Sequence, residues 1–110
     1  MVPPTTEQLN AFHGAAVTLI NSIEDRVYRP NYFIQLMAEH GAYDAACQVI
    51  HSSRIPDGFL TLQQAGQLKL SIEALVLRPE WKEIFEPETL ALARNRLAQF
   101  DYDPTAVPEQ

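Results

Sequence analysis

Through most of the chain the apolar positions recur at steps of three and four, the spacing of residues along one face of an α-helix. The clearest run is Leu9, Phe12, Ala16, Leu19, Ile20, Ile23 and Val27, which predicts a long first helix ending before Pro30. Thr5 and Gln8 stand in the capping-box relation, in which each side chain satisfies a backbone N–H at the helix start. Pro30 turns Arg29 away from helical geometry, and Asn31 is expected to cap a second helix that carries Phe33, Leu36 and Met37 as far as His40. Gly41 is a natural left-handed stop. A third helix, Ala42 to Ser52, is expected to bury Tyr43, Ala46, Cys47 and Ile50 at the same spacing.

The second half is more broken. "RIPDG", residues 54–58, is turn chemistry, with Asp57 expected as the N-cap of a brief helix that carries Phe59, Leu60, Leu62 and Ala65 and stops at Gly66. "QLKLS", residues 67–71, alternates polar and apolar and is expected to run extended, with Leu68 and Leu70 inward. In "SIEALVLRPEWKEIF", residues 71–85, Ser71 caps a short helix whose inner side is Ile72, Leu75 and Val76. Pro79 ends that helix and starts another piece, in which Trp81, Ile84 and Phe85 turn inward. Glu80 and Glu83 then fall in first turns, where a helix N-terminus favours negative charge by about 0.3–1 kcal/mol each. The same grammar returns with Glu86, Pro87 and Glu88 at a helix start and Arg94 and Arg96 toward its end, while Leu90, Ala93, Leu97 and Phe100 face the core. The charges of this half therefore read as helix-end charges. The prediction is an all-α, single-domain bundle of about six or seven mostly short helices around a long N-terminal one. Residues 1–4 would be a flexible lead, 5–102 the domain and 103–110, "DPTAVPEQ", a flexible tail.

Composition narrows the setting. A chain of 110 residues with 46% hydrophobic and 20% charged residues suits one globular domain. No apolar run approaches the roughly 20 residues that cross a bilayer, and the N-terminus lacks the order of a signal peptide, so no membrane partner and a cytoplasmic location are expected. Cys47 is the only cysteine, which excludes an intramolecular disulfide and fits a reducing compartment. The net charge of −6 repels a phosphate backbone at long range, and direct nucleic-acid binding is not expected.

The sharpest chemical constellation is His40, Asp44, Cys47 and His51, whose spacing would align four zinc-ligand types on one unbroken helix. Zinc needs its donors converging at about 2.0–2.3 Å, whereas this stripe spans roughly 16 Å and is interrupted at Gly41. The four are weak metal candidates. Cys47 reads better as a small core residue, and no cofactor is expected. No serine or cysteine stands in a recognisable nucleophile setting, and Glu24/Asp25 and Glu86/Glu88 diverge on a helix. "HSSR", residues 51–54, falls at a helix C-terminus, whose carbonyls repel anions. A helix-turn-helix reading of residues 33–54 fails because the second helix carries Asp44 and no Lys or Arg before Arg54.

From Tyr32 to Pro104, about two-thirds of the chain, "YFIQLMAEHGAYDAACQVI", "GFLTLQQAGQLKLSIEALVLRPEW" and "IFEPETLALARNRLAQFDYDP" together resemble a family of small bacterial helical domains of unknown function. The resemblance implies that Ser71–Pro79 is the most constant segment. It also implies a setting in defence against phage or in counter-defence, since such domains occur alone or beside restriction and helicase-like proteins. No activity follows from it. Gln63 stands where the family usually has an aromatic and Gln67 where it has an arginine, and residues 1–29 lie outside the similarity.

A helical core without an assembled site leads to a non-enzymatic protein-interaction module that docks on a larger bacterial or phage protein. One alternative is a phage-type, anti-CRISPR-like inhibitor of a nucleic-acid-handling immune complex, acting by acidic mimicry or steric block. The other is a small metal-dependent enzyme built on His40, Asp44, Cys47 and His51. The first-helix stripe is about 27 Å long, more than the later short helices can cover singly. Its N-terminal end, Leu9 and Phe12, is therefore expected to stay available to a partner helix or to a second copy in a homodimer.

Overall fold

Thr5 and Gln8 form the capping box that their spacing requires: Gln8 N–H donates to Thr5 Oγ1 at 3.1 Å and Thr5 N–H to Gln8 Oε1 at 2.8 Å. Helix α1 (Thr6–Arg26) follows. The computed structural model describes residues 3–103, so the expected lead and tail lie outside the described residues apart from Pro3, Pro4 and Asp103. After α1 come α2 (Asn31–His40), α3 (Ala42–His51), α4 (Asp57–Gln64), α5 (Ile72–Val76) and α6 (Pro87–Ala98), with 3₁₀ turns at Leu68–Leu70 and Pro79–Trp81. The described residues contain no strand. Their radius of gyration, 13.1 Å, matches the roughly 13 Å of a compact chain of about 100 residues. No helix among them is long and apolar enough to cross a membrane.

The local punctuation forms with small shifts. Gly41, at φ 85°, separates α2 from α3 in the left-handed region that glycine enters without a Cβ clash. α2 and α4 start one residue earlier than expected, at Pro30 and Pro56, so Asn31 and Asp57 are first helical residues rather than caps. The proline carbonyls accept the first helical bonds, from Ile34 N at 3.0 Å and from Phe59 N at 3.0 Å. "QLKLS" does not run extended. Leu70 N–H bonds to Gln67 O at 2.9 Å and Ser71 N–H to Leu68 O at 3.0 Å, closing a 3₁₀ turn. A strand with no neighbour would leave those groups unpaired, and a tight turn satisfies them internally. Both leucines are buried all the same, and Lys69 is exposed. Residues after Pro79 likewise turn tightly instead of forming an α-helix.

The centre of the fold is α3 rather than α1. It packs against α1, α2, α5 and α6. Ala42, Ala45 and Ala46 are all buried on it, and these small side chains let neighbouring backbones approach closely, with Val49 and Ile50 filling the gaps beyond. The helix is therefore rotated from its expected setting: Tyr43 and Cys47 are only half-buried. α1 lies along one side and buries Phe12, Ala16, Leu19 and Ile23.

Phe12 overturns the expectation of a free N-terminal stripe. It is 0% exposed, edge-on to Trp81 (ring centroids 5.3 Å) and Phe85 (5.2 Å), and Tyr43 stacks on Phe85 at 4.9 Å. Leu9 is half-buried. The irregular segment between α5 and α6 can follow a curved surface that no short straight helix would cover, and its Trp81 and Phe85 enclose Phe12. Tyr43 holds that segment by donating its hydroxyl to Ile84 O at 2.8 Å.

Candidate functional site

The proline-led starts of α2 and α4 both border a cleft of about 650 Å³, inside the roughly 300–1,000 Å³ range of ligand pockets. Its buried lining includes Ile23, Phe33, Val49, Phe59, Leu62 and Glu73, while Arg29, Tyr32 and Arg54 are exposed at its edge. Four aromatic rings, Tyr28, Tyr32, Phe33 and Phe59, line it together with Pro30 and Pro56. Tyr32 is 66% exposed, the most open large side chain of this kind in the described residues. Tyr28 is half-buried, and burial pushes its hydroxyl above the usual tyrosine range. That hydroxyl lies so close over Gly58, in the first turn of α4, that a Cβ there would run into it.

Of the two arginines that line the cleft, only Arg29 has a charged partner among the described residues. Arg29 Nη1 donates to Glu24 Oε2 and its Nε to Asn31 Oδ1 at 2.9 Å. Asp57 sits in the first turn of α4, where the helix N-terminus favours a carboxylate. Arg54 N–H bonds to Ser52 Oγ at 3.3 Å, yet its guanidinium makes no ion pair among the described residues.

Behind the cleft lies the feature that sequence reading missed. Glu73 is 2% exposed and Arg96 8% exposed, and Arg96 Nη1 donates to Glu73 Oε2 at 2.7 Å. The same guanidinium donates to Val49 O (3.0 Å), Ile50 O (3.3 Å) and Ser52 O (2.9 Å). These carbonyls belong to the end of α3, where the last turn of a helix leaves acceptors unpaired. Arg96 thus closes α3 from a distant helix, and Glu73 supplies the counter-charge. Burial pushes the Glu73 carboxyl upward, against the opposing pull of the Arg96 bond. His51 Nε2 lies 2.8 Å from Thr89 Oγ1, tying the same end of α3 to the start of α6. Arg96 does lie in the last turn of α6, as its position implied, but it is buried and serves the end of α3. The available signal was one carboxylate inside the apolar run Ile72–Leu77, because a buried acid needs a buried cation.

The sequence-predicted metal candidates do not assemble. His40 ends α2, exposed and 3.7 Å from Glu39; Asp44 is exposed; Cys47 is half-buried; His51 is turned to Thr89. Among the described residues no three His, Cys, Asp or Glu side chains come together as one ion would need. Burial, then the Asp44 charge, pushes the Cys47 thiol up to about 11, the pattern of a packed rather than a reactive cysteine. "SIEALVLRPEWKEIF" divides in two. Leu75, Val76, Ile84 and Phe85 are core, whereas Ser71, Ile72 and Glu73 line the cleft. Ser71 also holds its own corner, accepting from Ala74 N–H at 3.1 Å and donating to Leu68 O at 2.7 Å. No family model matches the chain, and neither the curated proteins nor the solved structures contain a match to it.

Proposed function

We propose that the chain is a non-enzymatic protein-interaction module and that its cleft docks a segment of another protein. The observation that carries this reading is the ring-lined, half-open cleft with exposed Tyr32 and Arg54 at its edge. Tyrosine and arginine are the side chains that dominate binding energy at protein interfaces, since each presents a large contact area with a polar end. The proposed partner is a larger bacterial or phage protein met in the cytoplasm, in phage defence or counter-defence, a setting that rests on the sequence resemblance alone. Selection from a random peptide display library on the folded protein tests the docking. Enriched peptides should lose tenfold or more of their affinity for Tyr32→Ala, on the roughly 2 kcal/mol scale of a hot-spot residue. Binders indifferent to Tyr32→Ala, or no binders, would refute it.

A second reading, an anti-CRISPR-like inhibitor acting by acidic mimicry, is favoured by Glu80, Glu83, Glu86 and Glu88, all exposed on one short segment. Asp44 and Glu86 both act on Cys47, so a carboxylate of α3 lies near that segment. This reading requires salt-sensitive competition with DNA for a nuclease complex, lost when those four glutamates become glutamine.

A further inference from the structure

We infer that the segment taken by the cleft carries a ring side chain next to a single carboxylate, the ring packing on the cleft's aromatic wall and the carboxylate pairing with Arg54. The inference rests on the docking reading and deepens it. The ring follows from the lining: Tyr28, Tyr32, Phe33 and Phe59 offer faces and edges against which another ring packs in offset or edge-on geometry. The carboxylate follows from charge. Arg29 is engaged by Glu24 and Glu73 by Arg96, which leaves the Arg54 guanidinium as the lining cation without a counter-charge among the described residues. One carboxylate fits better than an acidic run, because the net charge of −6 opposes the approach of further negative charge.

The test is a set of amide-shift titrations of the folded protein with three acetylated, amidated tetrapeptides: Pro-Phe-Glu-Pro, Pro-Phe-Gln-Pro and Pro-Ala-Glu-Pro. The first should shift amides in residues 28–33, 52–59 and 71–73, and bind about three- to fivefold tighter than its glutamine counterpart, the scale of an exposed ion pair. The alanine peptide should bind weakest of the three. The preference for glutamate should shrink in high salt and vanish in Arg54→Gln, an exposed position whose change leaves the fold unaltered. Equal affinity of the glutamate and glutamine peptides, or a preference that survives Arg54→Gln, overturns the inference while the docking reading stands. Absence of binding by all three also overturns it, and the display selection then decides the docking reading independently.

Discussion

Replacing Arg96 with methionine keeps most of the side chain's apolar reach and removes its guanidinium, which isolates what the charge does. Four acceptors lose the guanidinium: Glu73 Oε2 and the carbonyls of Val49, Ile50 and Ser52, of which Val49 O keeps a bond from Ser52 N–H at 3.4 Å. Breaking a buried ion pair from one side costs about 3–5 kcal/mol, because the other charge stays buried without compensation. A small domain holds only about 5–15 kcal/mol in total, so Arg96→Met should remove much of it. Glu73→Met/Arg96→Met removes the stranded carboxylate as well, and the remaining cost should fall to about 1–3 kcal/mol for the carbonyls at the end of α3. Acidity supplies a second signature. The Glu73 carboxyl is raised by burial above its ordinary 4.5, so the stability it contributes is fully present below 4.5 and lost as pH rises through the raised folded value. Without Arg96 the carboxyl rises further. The single variant should therefore be weakest near neutral pH and recover part of its loss toward about pH 5, whereas the double variant has no such recovery. Urea unfolding followed by far-ultraviolet circular dichroism at both pH values measures this. A loss under about 1 kcal/mol, or a double variant no more stable than Arg96→Met, would refute the account of Arg96 as the cap of α3 and partner of Glu73.

Other substitutions probe separate parts of the fold. The Trp81 Nε1 donor is buried without a partner among the described residues, while its ring packs edge-on to Phe12. Trp81→Phe should consequently stay within about 1 kcal/mol of the parent and Trp81→Ala should lose about 3 kcal/mol or more, read from urea midpoints. Gly58→Ala would ordinarily favour a helix by about 1 kcal/mol, but its Cβ meets the Tyr28 hydroxyl, so a net loss of about 1–3 kcal/mol is expected. Tyr28→Phe should relieve much of that loss in a double-mutant cycle; no relief would mean that another contact is responsible. Cys47 is raised to about 11 and Tyr43 to about 12, each chiefly by burial. At neutral pH the thiol should react with an aromatic disulfide reagent far more slowly than in urea, and a rate equal to that of the unfolded chain would contradict its burial. Both groups favour the fold below their unfolded values, 9.0 and 10.0, and that stability is lost as pH rises through about 11 and 12, which alkaline melting curves would show.

The sequence by itself determined the boundaries of the α-helices to within about a residue, though not the 3₁₀ turns between them, because capping signals act within a few residues. Thr5 and Gln8, Gly41, Ser71 and Pro87 each do locally what their chemistry requires. The all-α class and the inward set Phe12, Ala16, Leu19 and Ile23 were legible for the same reason, since three-and-four spacing is a property of one helix. What covers that set was not legible. The sequence offered no sign that turns carrying Trp81 and Phe85 would enclose Phe12, or that alanine-rich α3 rather than long α1 would be central. Periodicity names a buried face without naming its neighbour. The cleft and the Glu73–Arg96 pair were hidden for the same physical reason. Tyr32 and Arg54 are 22 positions apart and Glu73 and Arg96 are 23 apart, and only packing brings such residues to one place. Whether a charge on a helix is solvated or buried depends on the element laid over it. In Arg96 that element is the end of α3, where three carbonyls and one carboxylate fix the guanidinium.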